Sequence, residues 1–474
     1  MTSESVLDIF KEITTVPRGS GHEEPITEWL CNWAAEHSFE YRRDAIGNVN
    51  IIRPASPGRE DVPGIVLQAH QDMVCEKLGN FPIDFLKDPI PYTFRDGWMV
   101  ADNTTLGADD GIGIAAALAL LLDEAPSGRI EAVFTISEET GMDGANAMQT
   151  GFFEGKTLIN LDSEDEGQLF IGCAGGENTD AFFHYDFEPF NAGWKALSVS
   201  ITGGMGGHSG DDINKGRCNT VLALAKFLDG EFRHGLQLVI FTGGGKSNAI
   251  AREACAVVLV PDPEATKARF AAFAEQVQAE FGGVEKSLRF ECRGASFNEK
   301  PLAVKDARAI IHAIAACPHG VVRMSPDIEG LVQTSTNLAA VDMTERQTVK
   351  VITSQRSSVV AELDETVAAV AKNFSDAGAE VNSFSKYPGW NPNLNSHVLE
   401  LTRDAYRRLF GQEPLVLAIH AGLECGLFLE KFPGLDMISF GPTLRGVHTP
   451  GEKLELASVD KFVKLLEEVV CNYR

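Results

Sequence analysis

The stretch LGADDGIGIAAALALLL, from Leu106 to Leu122, holds the pattern that decides the fold. Its apolar part, Ile112 to Leu122, is the longest apolar run of the chain, but a membrane span needs roughly 20 apolar residues. We therefore predict a helix buried in a protein core. The two aspartates before it could simply cap this helix and complement its dipole. Gly111 and Gly113 do not form a dinucleotide-binding loop, because the motif's third glycine and its later acidic residue are missing.

Strands and helices alternate on both sides of this predicted helix. In the first 190 residues, the expected elements are the strands Asn48–Ile52, Ile65–Ala69, Ile130–Ser137 and Thr157–Leu161 and the helices Ser5–Thr14, Glu24–Glu36 and Gly113–Glu124. The alternation resumes after residue 388. This pattern predicts an α/β/α sandwich with a largely parallel sheet, formed by residues 1–190 and 389–474.

The middle of the chain, residues 191–388, has a different rhythm. From Lys195 onward, the order strand, helix, strand, strand, helix, strand is the split βαβ pattern of ferredoxin-like modules. A second copy, which looks incomplete, begins with the predicted helix Val304–Ala316. We therefore predict an inserted α+β lid domain built of two ferredoxin-like modules. Domain interfaces are a preferred place for active sites.

The composition excludes several classes of protein. The chain has 41 basic and 67 acidic residues, a formal net charge of −26, which argues against a nucleic-acid partner. Nine cysteines without a Cys-x-x-Cys pair indicate reduced thiols rather than disulfides. The N-terminal MTSESVLDIFKEI lacks the basic region and cleavage site of a signal peptide. These features predict a cytoplasmic protein with no membrane partner.

One predicted strand ends in residues that can bind metal. His70 and Asp72 follow the apolar run Gly64–Ala69, at the end of the strand where α/β sheets place their ligands. A lone histidine is more often a core or loop residue, but a ligating imidazole needs a carboxylate that holds its tautomer. Side chains two residues apart on a strand point the same way. The pattern predicts His70 as a ligand and Asp72 as its orienting carboxylate.

Further candidate ligands follow other predicted strands. Glu138 and Glu139 follow the run Ile130–Ile136, Asp162 follows the apolar residues of INLDSED, and His448 lies in GPTLRGVHTP. Each of them alone is explained as well by a cap, a turn or a solvated charge. A glutamate pair that leaves an apolar, central strand is less easily explained by solvation in bulk water.

Together these residues form a set that suits two metal ions. The candidate ligands, each expected at one of five strand ends, are His70, Asp109, Glu139, Asp162 and His448. Two zinc ions about 3.5–4 Å apart could each take one imidazole and one carboxylate and share the fifth group as a bridge. Glu138 is then free for proton transfer. Competing motifs fail, since no His-Glu-x-x-His occurs and GGGKSN has Ile240 where a phosphate loop needs glycine.

Six motifs, in this order along the chain, resemble those of one protein family: TTLGADDGIG, EETGMDGA, GCAGG, HSGDDI, HAGLECG and GPTLRGVH. They are typical of the aminoacyl-histidine dipeptidases, also called peptidase D or cytosolic non-specific dipeptidase. This family lies within the di-zinc aminopeptidase superfamily, whose α/β catalytic domain carries an inserted lid. The resemblance spans nearly the whole chain.

The resemblance implies a division of the ligands between two zinc ions. His70, Asp109 and Asp162 would hold one ion, and Glu139 and His448 would hold the other together with Asp109, which bridges the two. Mn²⁺ or Co²⁺ could substitute for zinc, because such nitrogen and oxygen sites also accept these ions.

The resemblance also implies roles for the residues around the metals. Glu138 resembles the general base of the family, and Asp72 the partner of the first histidine. The peptide bond between Asp109 and Asp110 is expected to be cis. The family usually has asparagine after the bridging aspartate, whereas this chain has Asp110.

The lid is expected to contribute to substrate binding. His208 resembles a lid histidine that reaches over the metals to the substrate carbonyl, although it could be a turn residue among glycines. Arg356 could clamp the C-terminal carboxylate of a dipeptide through two hydrogen bonds, or could be a surface arginine. His420 is a second candidate for that carboxylate. Asn248 and Asn337 are further candidates for substrate contacts.

The implied activity is metal-dependent hydrolysis of dipeptides with an unblocked N-terminus, Xaa-His and broader. A hydroxide bridging the zinc ions would attack the carbonyl while Glu138 moves the proton and His208 helps stabilise the oxyanion. The alternatives are a related di-zinc tripeptidase, carboxypeptidase or N-acyl-amino-acid deacylase, or a non-catalytic protein on the same fold. We expect a small peptide as the partner. We also expect a homodimer through the lid, unless the second module covers that surface within one chain.

Overall fold

A computed structural model describes residues 1–326, 328–345, 347–420 and 422–474 of the chain. These residues form two compact units. The first unit contains residues 1–172, 390–418 and 423–474. The second contains residues 173–389 and the short segment 419–422.

The helices lie in both units. In chain order they are α1 Ser3–Ile13, α2 Glu24–Glu36, α3 Ala108–Leu122, α4 Glu138–Gly141, α5 Asp143–Ala147, α6 Thr220–Glu231, α7 Pro263–Phe281, α8 Val304–Ala315, α9 Val360–Asp376, α10 His397–Phe410, α11 Cys425–Lys431 and α12 Leu456–Asn472. None of these helices is long and apolar enough to cross a membrane.

The strands form three sheets. In chain order they are β1 Glu40–Arg43, β2 Val49–Arg53, β3 Ile65–His70, β4 Thr93–Arg95, β5 Trp98–Val100, β6 Ile130–Thr135, β7 Thr157–Asn160, β8 Gln168–Cys173, β9 Gly175–His184, β10 Lys195–Thr202, β11 Gln237–Gly244, β12 Ala254–Val260, β13 Arg289–Gly294, β14 Gly320–Met324, β15 Val332–Asp342, β16 Thr348–Ser357, β17 Glu380–Tyr387, β18 Leu415–Ile419, β19 Asp436–Ser439, β20 Leu444–Arg445 and β21 Lys453–Glu455.

An eight-stranded sheet forms the centre of the first unit, in the order β1-β2-β6-β3-β7-β19-β8-β18. Its four middle strands, β6, β3, β7 and β19, run parallel, and β2 and β8 join them antiparallel. Every residue of β3, β6 and β7 is buried, which explains why these strands appear in the sequence as continuous apolar runs. The predicted parallel sheet is therefore confirmed for the middle of the sheet, and its flanks are antiparallel.

Helices α1 and α3 bury their apolar residues in the core of this unit. Helix α1 begins with a capping box between Thr2 and Ser5 and buries Val6, Phe10 and Ile13 on one face. Helix α3 is apolar on all sides and is buried almost from end to end. The helix predicted from the apolar run after Gly113 is thus confirmed as a core element.

A small sheet in the order β20-β21-β5-β4 completes the first unit. It joins the residues just before α3 to the residues just before α12, because β5 pairs with β21. The sequence analysis did not predict this sheet, since its strands are only two or three residues long.

The second unit contains one sheet in the order β13-β10-β12-β11-β15-β16-β9-β17, with β14 added beside β15. Strands β10 to β13 with helices α6 and α7 form a ferredoxin-like module in which the strands lie in the order 4-1-3-2. Strands β9, β15, β16 and β17 with helices α8 and α9 repeat the same order. Pairing of β11 with β15 joins the modules edge to edge.

The second module is complete, which corrects the prediction of a partial copy. Its first strand is β9, which pairs with β16 and β17, and the whole first module is inserted between β9 and α8. The sequence analysis placed this strand in the first domain, with a boundary after residue 190. The second unit instead begins at Cys173. A strand whose partners are distant in sequence cannot be assigned to a sheet from local pattern.

The packing of β9 against α9 provides a test of this arrangement. Phe374 of α9 is fully buried and meets the ring of Phe183 of β9 edge to face at 6.1 Å. We expect Phe374→Ala to lower the free energy of unfolding by about 3–5 kcal/mol, through lost burial and a residual cavity. Urea unfolding followed by circular dichroism measures this change.

Phe384 on the edge strand β17 is the matched control, because its side chain is 39% exposed. We expect Phe384→Ala to change the free energy of unfolding by about 0.5 kcal/mol or less. Equal losses in the two variants would contradict the packing of α9 on β9.

Candidate metal centre

His70 is the last residue of β3 and is fully buried. Its Nδ1 lies 3.3 Å from Asp72 Oδ1 and 3.1 Å from the Asp72 carbonyl oxygen. Its Nε2 lies 2.9 Å from Asp109 Oδ1 and 3.8 Å from Asp162 Oδ1. In the tautomer that binds metal, Nδ1 carries the proton and donates it to Asp72, and Nε2 has a free lone pair. The structure therefore places Asp72 where the sequence analysis expected an orienting carboxylate.

Asp109 lies between the two predicted histidine ligands. Its Oδ1 faces His70, whereas its Oδ2 lies 3.0 Å from His448 Nε2. The two oxygens of one carboxylate thus point to two different imidazoles. This is the arrangement that a carboxylate bridging two metal ions needs.

Glu139 and Asp162 complete the two ends of the cluster. Glu139 Oε1 lies 2.9 Å from His448 Nε2, and Asp162 approaches His70 from the other side. Contacts between carboxylates and imidazoles therefore connect all five predicted ligands in one series. Two groups have ligand atoms within 4.8 Å of one another: His70, Asp109 and Glu139, and His70, Asp110 and Asp162. The second group includes Asp110, to which the sequence analysis gave no metal role.

The parallel strands explain why three of these ligands meet. His70 ends β3, Glu139 lies just past β6, and Asp162 lies just past β7, and these three strands are neighbours in the sheet. The carboxyl ends of parallel strands lie at the same sheet edge. Asp109 and His448 do not belong to this edge, which corrects the expectation that each candidate ligand lies at a strand end. Asp109 enters at the start of α3, and His448 lies in the loop after β20 of the small sheet.

The backbone has a positive φ at two positions in the site. Ser137, which precedes the glutamate pair, has φ 52°, and His448 itself has φ 61°. Both values lie in the left-handed region that residues other than glycine rarely adopt. The peptide bond between Asp109 and Asp110 is cis, as the sequence resemblance implied.

Glu452 holds the loop that presents Asp109, and the sequence analysis did not foresee this residue. The Glu452 carboxylate accepts backbone N–H groups from residues 106–109, at 2.7, 3.0, 2.8 and 3.5 Å in chain order. Glu452 follows His448 by four residues, so the same loop carries a predicted ligand and the support of another. The only signal in the sequence is a glutamate in HTPGE, next to the histidine motif.

Arg18 supports the same loop from the other side. Its buried guanidinium donates to the carbonyl oxygens of Gln71 and Asp72, at 3.0 and 2.7 Å, and to the Gly107 carbonyl. A fixed cation thus ties the backbone after β3 to the backbone before α3. No feature of the segment VPRGS indicates this role, because its partners are distant backbone oxygens.

A buried polar network connects the strands beneath the site. Glu424 Oε2 accepts the Thr135 hydroxyl at 2.7 Å and the Gln68 side-chain amide at 2.6 Å. Gln68 Oε1 accepts the Asn160 amide at 2.6 Å, and Asn160 Oδ1 accepts the Ser439 hydroxyl at 2.5 Å. Thr135, Gln68, Asn160 and Ser439 lie on β6, β3, β7 and β19, and Glu424 directly precedes α11, so the network ties together four neighbouring strands at the sheet edge that carries predicted ligands.

The carboxylates determine the charge of both histidines. Burial alone would lower the pKa of His70, but Asp109 and Asp72 outweigh it and hold the pKa well above its usual range. Hydrogen bonds with Asp109 and Glu139 raise the pKa of His448 to about 10. Burial would raise the pKa of Asp109, but the two imidazolium groups lower it instead. The two imidazolium groups thus offset part of the carboxylate charge inside the cluster.

Glu138 lies beside the cluster, next to the predicted ligand Glu139. Burial raises the pKa of Glu138 to about 8, and the carboxylates of Glu424 and Glu139 add to the rise, while His70 opposes it. A carboxyl group with a pKa near neutrality can both accept and return a proton at cellular pH. The raised pKa is compatible with the general-base role predicted for Glu138 from the sequence.

The residues predicted in the lid form a cluster of their own within the second unit. Arg356 Nη2 lies 3.5 Å from His208 Nε2, and Arg356 Nη1 donates to the His420 carbonyl at 3.3 Å. His208 Nδ1 lies 3.6 Å from Asp211 Oδ2, and His420 Nε2 lies 2.7 Å from the Ser335 hydroxyl. Burial lowers the pKa of His420 to about 3, and Arg356 adds to this, so the imidazole is neutral.

The two predicted asparagines occupy different environments near this cluster. Asn248 is exposed and lines a cavity of about 580 Å³ together with His208. Asn337 is buried and donates to the carbonyl oxygens of Ser247 and Ala249, which holds the segment around Asn248 in place. The Nδ2 group of Asn337 thus supports the backbone, whereas its Oδ1 is buried without a hydrogen-bond partner among the described residues.

The chain is similar to several known peptidases. Residues 66–472 match the model of Peptidase family M20/M25/M40. The chain is 39% identical to the cytosol non-specific dipeptidase of Escherichia coli strain K12 over 474 residues, 99% of this chain and 98% of that protein. The crystal structure of aminoacylhistidine dipeptidase from Vibrio alginolyticus matches with a TM-score of 0.92 and 38% identity, over 99% of this chain and 96% of that one.

A more distant structure shares the fold alone. The aminopeptidase PepT from Bacillus cereus matches with a TM-score of 0.63 at 18% identity, over 99% of this chain and 98% of that chain.

The raised pKa values of His70 and His448 generate a prediction for protein stripped of metal with a chelator. Both imidazoles are then protonated at pH 7, and each must lose its proton before it can bind a metal. We expect zinc binding at pH 7 to release at least two protons per chain. As the pH rises towards 10, His448 loses its proton unaided, so fewer protons are released and the apparent affinity increases. Calorimetric titration in buffers of different ionisation enthalpy measures this release.

His448→Asn is the control for this prediction, because it removes one of the two imidazoles. We expect this variant to release about one proton fewer at pH 7 than the natural chain. A binding heat that does not depend on the buffer would contradict the assignment of the two histidines as protonated ligands.

Proposed function

The chain belongs to peptidase family M20/M25/M40, and on that premise we propose that it is a metal-dependent dipeptidase. Its substrates are dipeptides with an unblocked N-terminus, with Xaa-His among them. The observation that carries this proposal is the position of Asp109, whose two oxygens face the imidazoles of His70 and His448. The identity of 39% to a relative named as a non-specific dipeptidase supports the same conclusion.

The donor set fits two divalent cations. His70 and Asp162 would hold one ion, His448 and Glu139 would hold the other, and Asp109 would be shared. We take zinc as the natural metal, since imidazole and carboxylate groups suit it, with Mn²⁺ or Co²⁺ able to substitute. The chemistry that two bound cations supply is polarisation of the scissile carbonyl and a lowered pKa for water.

Glu138 moves the proton in the proposed reaction. Its carboxylate takes a proton from the attacking water and delivers it to the leaving amine. The surroundings favour this role, because burial and neighbouring carboxylates raise its pKa towards neutrality. Asp72 keeps His70 in the tautomer that directs Nε2 to the metal, so it acts through the histidine rather than on the substrate.

The second unit supplies substrate-binding groups in this proposal. A dipeptide carries a C-terminal carboxylate, and the guanidinium of Arg356 can bind it through two hydrogen bonds. His420, which is neutral, and Asn248 add hydrogen-bonding groups, and His208 assists at the substrate carbonyl. Asn337 contributes by holding the segment of Asn248.

Two finer points complete the proposal. The named relative is a cytosol enzyme, and we place the action of this chain in the cytoplasm as well. A homodimer through the lid is the proposed assembly.

Glu138 and its neighbour Glu139 provide a matched pair of variants. We expect Glu138→Gln to keep both metal ions and lose turnover by about 10²–10⁴-fold, because proton transfer is impaired while the ligands stay intact. We expect Glu139→Gln to lose affinity for the ion shared with His448. Metal analysis of the dialysed proteins and kcat on one dipeptide measure both effects. Loss of metal from Glu138→Gln would show that the two roles are exchanged.

The substrate class is tested by one panel assayed at a known metal content. It contains Xaa-His dipeptides, other dipeptides, a tripeptide, an N-acetylated dipeptide and an N-acyl-amino acid. We expect hydrolysis of the free dipeptides, with values of kcat/KM at least about tenfold above those of the other compounds. Preference for the tripeptide or the N-acyl compound would replace the dipeptidase assignment. Activity that survives complete removal of metal would reject the proposed mechanism.

A further inference from the structure

Asp110 has a structural role that uses only one of its two carboxylate oxygens. With φ −108° and ψ 37° it is not helical, so the regular part of α3 begins after it. Its Oδ1 accepts the backbone N–H of Gly113 at 3.1 Å, which is the hydrogen bond of a helix N-cap. A Cβ at position 113 would overlap the Asp110 carboxyl group, so Gly113 leaves the room that this carboxyl group fills. The carboxyl group is therefore held firmly in one place.

The other oxygen of Asp110 has no partner with regular hydrogen-bond geometry. Oδ2 is buried and meets no such donor among the residues that the structure describes. The backbone N–H of His70 also lies close enough to this carboxyl group to oppose the rise in its pKa that burial causes. The buried guanidinium of Arg18 donates to the carbonyl oxygens of Gln71, Asp72 and Gly107, and no hydrogen bond joins it to Asp110 among the described residues. A buried carboxylate oxygen without a partner is costly, and each such atom in a folded protein calls for an explanation.

The unpartnered carboxylate lies among predicted metal ligands. Ligand atoms of His70, Asp110 and Asp162 all lie within 4.8 Å of one another. Asp110 itself is only 1% exposed, so bulk water does not compensate its charge. Capping alone does not explain this residue, because asparagine also offers an oxygen to the Gly113 N–H without the added charge. What aspartate adds at position 110 is a second oxygen, and also a negative charge once a bound cation offsets the rise in its pKa that burial and Asp109 cause.

We propose that Asp110 Oδ2 is a sixth metal ligand, which binds the ion held by His70 and Asp162. This inference rests on the proposed metal centre and assigns it one further residue. The five ligands named above include three carboxylates, against four positive charges on two divalent cations. Asp110 is the fourth carboxylate, and it balances those charges.

The added oxygen also changes which metals this position favours. With Asp110, the metal position of His70 and Asp162 has one imidazole and up to three carboxylates, if the shared Asp109 is counted. Oxygen-rich sites suit harder cations such as Mn²⁺, whereas imidazole-rich sites suit zinc. Asp110 should therefore strengthen binding of one of the two ions, and strengthen it more for Mn²⁺ than for Zn²⁺.

Asp110→Asn tests this inference with a readout that does not require activity. The full-length protein is stripped of metal, equilibrated with buffered Zn²⁺ or Mn²⁺, and its bound metal is counted by mass spectrometry. We expect the natural chain to bind two ions. We expect Asp110→Asn to bind one ion as before and the other at least about tenfold more weakly, with a larger loss for Mn²⁺. Its melting temperature without metal should be unchanged, since asparagine keeps the cap.

Glu164→Gln is the matched control, because it removes a carboxylate that acts on Asp109 and His448 through space but belongs to neither ligand group. We expect it to weaken metal binding by less than about twofold. Equal losses of metal affinity in both variants would mean that Asp110 acts only through its charge, and would overturn the inference. Unchanged affinities in Asp110→Asn would overturn it as well. A natural chain that binds fewer than two ions would instead overturn the proposed function itself.

Discussion

The geometry of the metal centre depends on the carboxylate of Glu452. Four consecutive backbone N–H groups, from residues 106–109, converge on it. A carboxylate that accepts several backbone N–H groups forms strong, charge-assisted hydrogen bonds, and here they lie away from solvent. Because Glu452 shares a loop with His448, the same hydrogen bonds set the distance between that histidine and Asp109. One side chain thus contacts the loop of one proposed ligand and lies four residues from the other.

The same part of the molecule concentrates buried charge, which is unfavourable unless each charge has a partner. The guanidinium of Arg18 donates hydrogen bonds to backbone carbonyl oxygens near the site. His70 and His448 contact the carboxylate of Asp109. Among the described residues Glu424 Oε1 has no hydrogen-bond partner, and burial raises the pKa of Glu424 to about 7. A centre with an excess of buried carboxylates is suited to bind cations. The polar network below the sheet keeps those carboxylates in position when they repel one another.

The second unit is organised around one continuous sheet. One ferredoxin-like module is inserted into another, and their edge strands pair to give a continuous sheet. The cluster of His208, Arg356 and His420 therefore combines residues from distant parts of the chain on one unit. His420 belongs to a short segment, residues 419–422, that joins this unit although the flanking residues belong to the first. A short segment distant in sequence thus supplies one residue of this cluster.

The sequence was sufficient to predict most local elements and the types of the candidate ligands. Apolar runs identified β3, β6, β7 and the buried helix α3, because burial on all sides leaves a signal in neighbouring residues. The motifs identified the five candidate ligands and the cis bond before Asp110. Tertiary structure alone decided the place of β9, whose partners lie more than a hundred residues away, and the roles of Glu452 and Arg18, whose partners are backbone atoms. The same holds for Asp110, one oxygen of which caps a helix, while the other has no regular hydrogen bond from the described residues and belongs to a carboxyl group close to His70 and Asp162. The spacing of apolar residues indicates which surfaces are buried. Only the folded chain brings together hydrogen-bonding groups that are distant in sequence.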